Sequence, residues 1–149
     1  TPYSNLKISD INISTLLKDA LELTFVKNIK INKYNNRLIG IDGVKMSVAL
    51  KNLIENAHKY AKTEEPIEIY VSEGGGVVYI EVKDRGPGIP EDQMDTITKA
   101  FVRGKHKKTS GFGLGLSICY KIMHAHGGEL KIKNNTKGGA SFTLCIPVK

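Results

Sequence analysis

Two segments, Glu68 to Val71 and Val77 to Val82, alternate apolar with polar residues on either side of Glu73-Gly-Gly-Gly76. Period-two alternation interrupted by consecutive glycines is a hairpin signature in which one face of the pair is buried. A lone hairpin is at best marginally stable in water, so this feature demands further strands and a covering layer. The rest of the chain offers both. Ile29 to Ile31 and Arg37 to Ile41 read as short strands around the polar turn Tyr34-Asn35-Asn36. Glu129 to Lys133 and Ser141 to Val148 read as strands around Asn134-Asn-Thr-Lys-Gly-Gly139. Helical periodicity marks Ile13 to Val26, where Leu16, Leu17, Ala20, Leu21 and Leu23 are apolar, and a long helix to about Ala61 that Asp42 can cap. A short helix is expected from Glu91 to Thr98 and another from about Leu114 to His124. Hairpin-length connections between late strands, with helices interspersed, predict an α+β fold: a two-layer α/β sandwich with a mixed sheet and helices on one face.

At 149 residues the chain fits one domain, taken as 1–149, and can bury a two-layer core. No stretch approaches a transmembrane run. Thr1 rather than Met opens the sequence, and the expectation is a piece of something longer. The net charge of +7, from 22 basic and 15 acidic residues, favours anionic partners, or else describes a solvated lysine-rich surface. Cys119 and Cys145 form no C-x-x-C pair and read as small core residues in a reducing compartment.

Three stretches carry chemistry. On the helix A-L-K-N-L-I-E-N-A-H-K-Y-A (Ala49 to Ala61), with Asn52 set at zero, Met46, Leu50, Leu53 and Ala57 fall roughly 100–160° away. Asn52, Asn56 and Lys59 form a separate stripe, with Tyr60 on the border. Asparagine is mildly unfavourable inside a helix. Two at i and i+4 with a lysine on the next turn therefore suggest a liganding face: amide oxygens suit Mg²⁺, the ammonium suits phosphate, and the Tyr60 ring suits a base. The simpler reading is an exposed polar stripe. His58 lies on the far side and reads as a surface residue, while Glu55, at the stripe's edge, is either solvated or a base.

In V-K-D-R-G-P-G-I-P (Val82 to Pro90) a strand ends and a turn begins. Turn chemistry alone accounts for it. Alternatively, Asp84 leaves the strand end as an acceptor for an exocyclic amine, and Gly86 and Gly88 let a flat ring approach the backbone. In G-F-G-L-G-L (Gly111 to Leu116), Gly111, Gly113 and Gly115 precede a helix expected near Leu114, so backbone N–H groups can converge on an anion. Neither a Walker A loop nor a Rossmann fingerprint fits: Gly104-Lys105 is followed by His106, and Ile118 stands where the third glycine belongs. The basic segment Arg103 to Ser110 has no apolar period and is expected to be mobile.

Taken together and in this order, these stretches resemble the N, G1 and G2 boxes of the sensor histidine kinases, members of a superfamily that includes DNA gyrase B, Hsp90 and MutL. Ala100-Phe101-Val102-Arg103 resembles the end of the F box, and His126-Gly127-Gly128, Gly139 to Phe142 and Pro147 also match. The resemblance covers nearly the whole chain and implies the Bergerat ATP-binding fold, a mostly antiparallel mixed sheet under three helices. It implies that Asn56 holds Mg²⁺, that Asn52 supports the metal-phosphate region, and that Lys59 contacts phosphate. Tyr60 would pack beside adenine, and Asp84 would accept from its amine, with Gly86, Gly88 and Ile89 lining the base. Gly111, Gly113, Gly115 and Leu116 would contact the triphosphate, and Arg103 to Ser110 would form a lid whose Lys105, Lys107 and Lys108 lie near the γ-phosphate or are simply solvated. Three positions depart from the pattern: Thr98 replaces an F-box Phe, Phe112 stands where Thr or Ser is commoner, and Ala140 stands where a hydroxyl residue often closes the site.

The implied reaction is transfer of the γ-phosphoryl group of Mg-ATP to a histidine on a separate dimerisation hairpin, with a response regulator downstream. The acceptor sits in an H-E-containing motif, and none of His58, His106, His124 and His126 does. The expectation is therefore a catalytic and ATP-binding domain only, monomeric when isolated. Its parent would be a homodimeric membrane sensor with this domain in the cytoplasm. The alternatives are an ATPase switch of the gyrase or Hsp90 type and a serine kinase of the anti-sigma type. The former uses a Glu where this chain has Asn52. Direct nucleic-acid binding is not expected, since no helix-turn-helix, zinc ligand set or stacking aromatics appear.

Overall fold

A computed structural model describes residues 5–95, 97 and 111–148. The main sheet has five strands: β2 (Ile29–Ile31), β4 (Ile67–Gly74), β5 (Val77–Lys83), β6 (Glu129–Asn134) and β7 (Ala140–Pro147), in the order β2-β4-β5-β7-β6. Only the β2–β4 pair is parallel; the others are antiparallel, as the hairpin-length connections predict for β4–β5 and β6–β7. On the covered face, cross-strand rows join Ile69 to Val82 and Val82 to Phe142, and join Val71 to Ile80 and Ile80 to Leu144. Val78, Ile80, Val82, Phe142, Leu144 and Ile146 are buried from that face.

Helices α1 (Ile13–Leu23), α2 (Gly43–Ala61) and α3 (Gly111–Ala125) cover it. Helix α2 is central, packing against α1, α3 and strands β4, β5 and β7. Its apolar stripe of Met46, Leu50, Leu53 and Ala57 is fully buried, which the helical period dictates. Asp42 caps it as the sequence suggests, accepting from the Lys45 N–H at 3.1 Å. The same carboxylate accepts from the Lys7 N–H at 3.0 Å. The far end of α3 is tied to this cap by His126: Nε2 accepts from the Asp42 N–H at 3.1 Å, and Nδ1 donates to the Ile122 carbonyl at 2.8 Å.

Two features differ from the sequence reading. The segments on either side of Tyr34-Asn35-Asn36 are not partners. β3 (Leu38–Ile41) pairs antiparallel with β1 (Ser9–Asn12) in a small separate sheet, while β2 joins β4. β1 is a mostly exposed stretch, S-D-I-N, with no alternation to reveal it. Among the described residues helix α3 already includes Gly111, upstream of Leu114, and the expected helix from Glu91 is seen at residues 91–95 and 97; Thr98 lies outside the described residues.

Candidate functional site

Helix α2 presents Asn52 and Asn56 not to solvent but to α3. The two residues are 7% and 6% exposed, which rules out an exposed stripe at these positions. Helix α3 reaches them through Gly115, where a Cβ would stand 3.4 Å from Asn56 Nδ2 and 3.8 Å from Asn52 Cβ. Asn52 Nδ2 donates to the Gly115 carbonyl at 3.4 Å, and Asn56 Nδ2 donates to the Asn52 carbonyl one turn back at 2.8 Å. That short bond settles which end of the Asn56 amide is nitrogen, because a carbonyl can only accept.

The two amides are consequently not equivalent. Asn52 Oδ1 accepts from Lys51 Nζ at 3.3 Å. Asn56 Oδ1 is buried without a hydrogen-bond partner. Lys51 is also 3.4 Å from Glu55 Oε1, and Glu55 Oε2 accepts from the Thr24 hydroxyl at 3.1 Å. With both its oxygens engaged, Glu55 has a structural role. The Lys51–Glu55 spacing of i, i+4 was visible in the sequence, but its delivery of an ammonium to Asn52 was not.

Asp84 stands at the end of β5, as expected for a residue leaving a strand. It is 0% exposed. Its backbone N–H donates to the Ala140 carbonyl at 3.0 Å, and Oδ1 accepts from the Gly86 N–H at 2.9 Å. Burial raises its pKa above the ordinary aspartate value, against the opposing effect of its backbone hydrogen bonds at Gly86 and Ala140. Oδ2 has no partner. Asp84 Oδ2 and Asn56 Oδ1 are the two buried, unpartnered side-chain polar atoms among the described residues. Each such atom costs about 1–3 kcal/mol.

The loop after Asp84 is pressed onto the end of α2. A Cβ on Gly86 would lie 1.9 Å from the Ala61 carbonyl oxygen, so the backbones meet there in a way only glycine allows. Ala61 is five residues beyond Asn56, about 7.5 Å along the helix. Gly88 has a φ of +88°, and its neighbour Ile89 is buried. The ring of Tyr60, on the last turn of α2, is buried and stacked on Phe142 with centroids 6.4 Å apart; its hydroxyl donates to Gln93 Oε1 at 3.4 Å. Burial raises the Tyr60 pKa to about 12, so it stays a neutral phenol. Lys59 is exposed on the same turn.

Gly111 and Gly113 fall within α3 rather than in a loop. Gly115 sits deeper and serves close helix packing, and the Leu116 side chain is buried in the core. Arg103, Lys105, Lys107, Lys108 and the F-box residues lie outside the described residues. The Ser141 hydroxyl, beside Ala140, bonds to Asn135 and is turned toward the β6–β7 turn. Sequence reading missed Asn134, whose amide clasps Ile89; nothing in N-N-T-K-G-G signals that contact.

The sequence pattern of the histidine kinase-, DNA gyrase B- and HSP90-like ATPases matches residues 41–149. The sensor protein KdpD of Escherichia coli is 41% identical over 74% of this chain, and the histidine-protein kinase AfsQ2 of Streptomyces coelicolor is 38% identical over 72%. The matched regions are only 12% and 20% of those proteins. The catalytic domain of histidine kinase ThkA superimposes with a TM-score of 0.77 at 28% identity, covering 96% of this chain and 97% of that one. Full-length ShkA in complex with AMPPNP gives a TM-score of 0.74 at 26% identity, with coverages of 97% and 32%. This chain belongs to the family of histidine kinase-, DNA gyrase B- and HSP90-like ATPases, and its fold is that of the histidine kinase catalytic domains.

Proposed function

We propose that this chain binds Mg-ATP and donates the γ-phosphoryl group to a histidine on a separate dimerisation domain of a sensor kinase, from which a response regulator receives it. The observation that carries the proposal is the pair of buried, unpartnered atoms, Asp84 Oδ2 and Asn56 Oδ1. Two such costs at the two motif positions are offset when a bound ligand supplies the missing partners. The bound nucleotide analogue named for ShkA lends support, as does a family of ATPases.

Each residue then has a task. Asp84 Oδ2 accepts from the amino group of adenine, where guanine would present a carbonyl oxygen and be repelled. The backbone of Gly86 to Ile89 gives the flat base a close wall. Asn56 Oδ1 is a neutral, hard oxygen of the kind Mg²⁺ takes, and it is the residue that would hold the ion; when bound, the ion supplies neutralisation of phosphate charge. Lys59 adds positive charge beside it. Lys51 and Gly115 fix the Asn52 amide, which positions and does not remove protons, because an amide is no base at neutral pH. Phosphoryl transfer asks mainly for such positioning and charge stabilisation, so this set suffices without a general base for water.

The test is titration of an ATP analogue, with and without Mg²⁺, into wild type, Asn56→Ala and Asp84→Ala. Asp84→Ala should weaken binding under both conditions, and Asn56→Ala chiefly when Mg²⁺ is present. Indistinguishable behaviour of the three proteins removes both assignments. Steady-state ATP hydrolysis at a substantial rate would instead favour the gyrase-type switch.

A further inference from the structure

We infer that Asn134 is a positioning residue that sets the base end of the nucleotide site and sharpens its choice of adenine. This rests on the reading of Asp84 given above. Asn134 ends β6. Its Oδ1 accepts from the Ile89 N–H at 2.8 Å and its Nδ2 donates to the Ile89 carbonyl at 2.9 Å. The side-chain amide thus does for residue 89 what a neighbouring strand would do, satisfying donor and acceptor of one peptide residue at once. A Cβ on Gly88 would lie 2.7 Å from Asn134 Oδ1, so the clamp and the left-handed glycine are fitted to each other.

The other end of the same turn grips the other end of the loop. Ala140 accepts from the Asp84 N–H, and a Cβ on Gly139 would lie 2.0 Å from the Asp84 carbonyl oxygen. The turn is itself braced, with the Asn135 N–H donating to Gly139 and the Gly138 N–H donating to Asn135. The six-residue span from Asp84 to Ile89 is therefore held at both ends by the residues flanking one braced turn and pressed against Ala61 at Gly86. Ordering a loop before the ligand arrives removes a cost from binding. It also keeps the base wall at a fixed place relative to Asp84, so that a guanine carbonyl cannot be relieved by loop retreat. Asn134 is itself exposed, so its replacement leaves the core intact.

Calorimetric titration of ADP and GDP, each with and without Mg²⁺, into wild type, Asn134→Ala and Asn134→Asp tests this. The aspartate keeps an acceptor for the Ile89 N–H but turns a second oxygen toward the Ile89 carbonyl. Both variants should weaken ADP roughly five- to twentyfold, the effect of one to two lost hydrogen bonds. The factor should be the same with and without Mg²⁺, and the preference for ADP over GDP should narrow. Wild-type affinity and base preference in both variants would overturn the inference even if the thermal midpoint falls, because the clamp would then be structural only. A loss confined to the Mg²⁺ titrations overturns it as well. Failure of the wild type to bind ADP takes down the nucleotide reading and this inference together, whereas wild-type binding with unaffected variants removes this one alone.

Discussion

Asp84 is a carboxylate held away from water with one oxygen unsatisfied. Because burial raises its pKa, the folded chain holds that proton more tightly than the unfolded chain. Stability of the unliganded protein should therefore fall as pH rises from the ordinary aspartate value through the raised one, then level off. Asp84→Asn removes this loss, so its thermal midpoint at neutral pH should exceed that of wild type, read by calorimetry across pH. The same variant should bind ADP about tenfold or more weakly, since it presents an N–H to the adenine amine. Asp42 has the opposite sign. Burial pushes its pKa up, but hydrogen bonds from Lys7 and Lys45 outweigh this and hold it below the usual value. Its contribution is present above the ordinary pKa and is lost as pH falls through the depressed one. Asp84 and Asn56 were both visible in the sequence as motif residues. That each would keep one unsatisfied oxygen was not, because satisfaction depends on what other segments bring near.

At the level of elements, helix α2 depends on its cap. Asp42→Ala removes the Lys45 and Lys7 acceptor together and should cost about 1–2 kcal/mol in urea unfolding. The contact between the loop after β5 and the end of α2 leaves no room at Gly86. Gly86→Ala should destabilise by about 1–3 kcal/mol and weaken ADP as well, since the loop must move away from Ala61. Helix α2 and the β4–β5 hairpin were legible because their periods, 3.6 and 2, are written in single segments. The β1–β3 pair was not. Its strands are short, β1 is polar, and their partnership joins residues about thirty apart whose pairing no local pattern announces.

For the whole molecule, the isolated chain should bind γ-labelled ATP without retaining label, because none of its histidines lies in an acceptor motif; supplying the dimerisation hairpin should restore transfer. ADP with Mg²⁺ at a hundred times its Kd should stabilise the chain by about 2.7 kcal/mol, a rise in thermal midpoint of roughly 5–10 °C. No shift with either nucleotide would contradict a shared site. The sequence by itself determined the residue types and their order: an amide pair on a helix face, a carboxylate at a strand end, glycines where backbones must approach. These follow from local periodicity and from the few conformations each residue permits. Only the tertiary structure decided that the Asn52 amide is held at both ends while Asn56 keeps an open oxygen, since the Gly115 carbonyl of α3 that takes Asn52 Nδ2 arrives by packing. It also assigned the clamp on Ile89 to a distant turn. Such choices rest on contacts between segments remote in sequence, and each is made by the geometry of the sheet that brings them side by side.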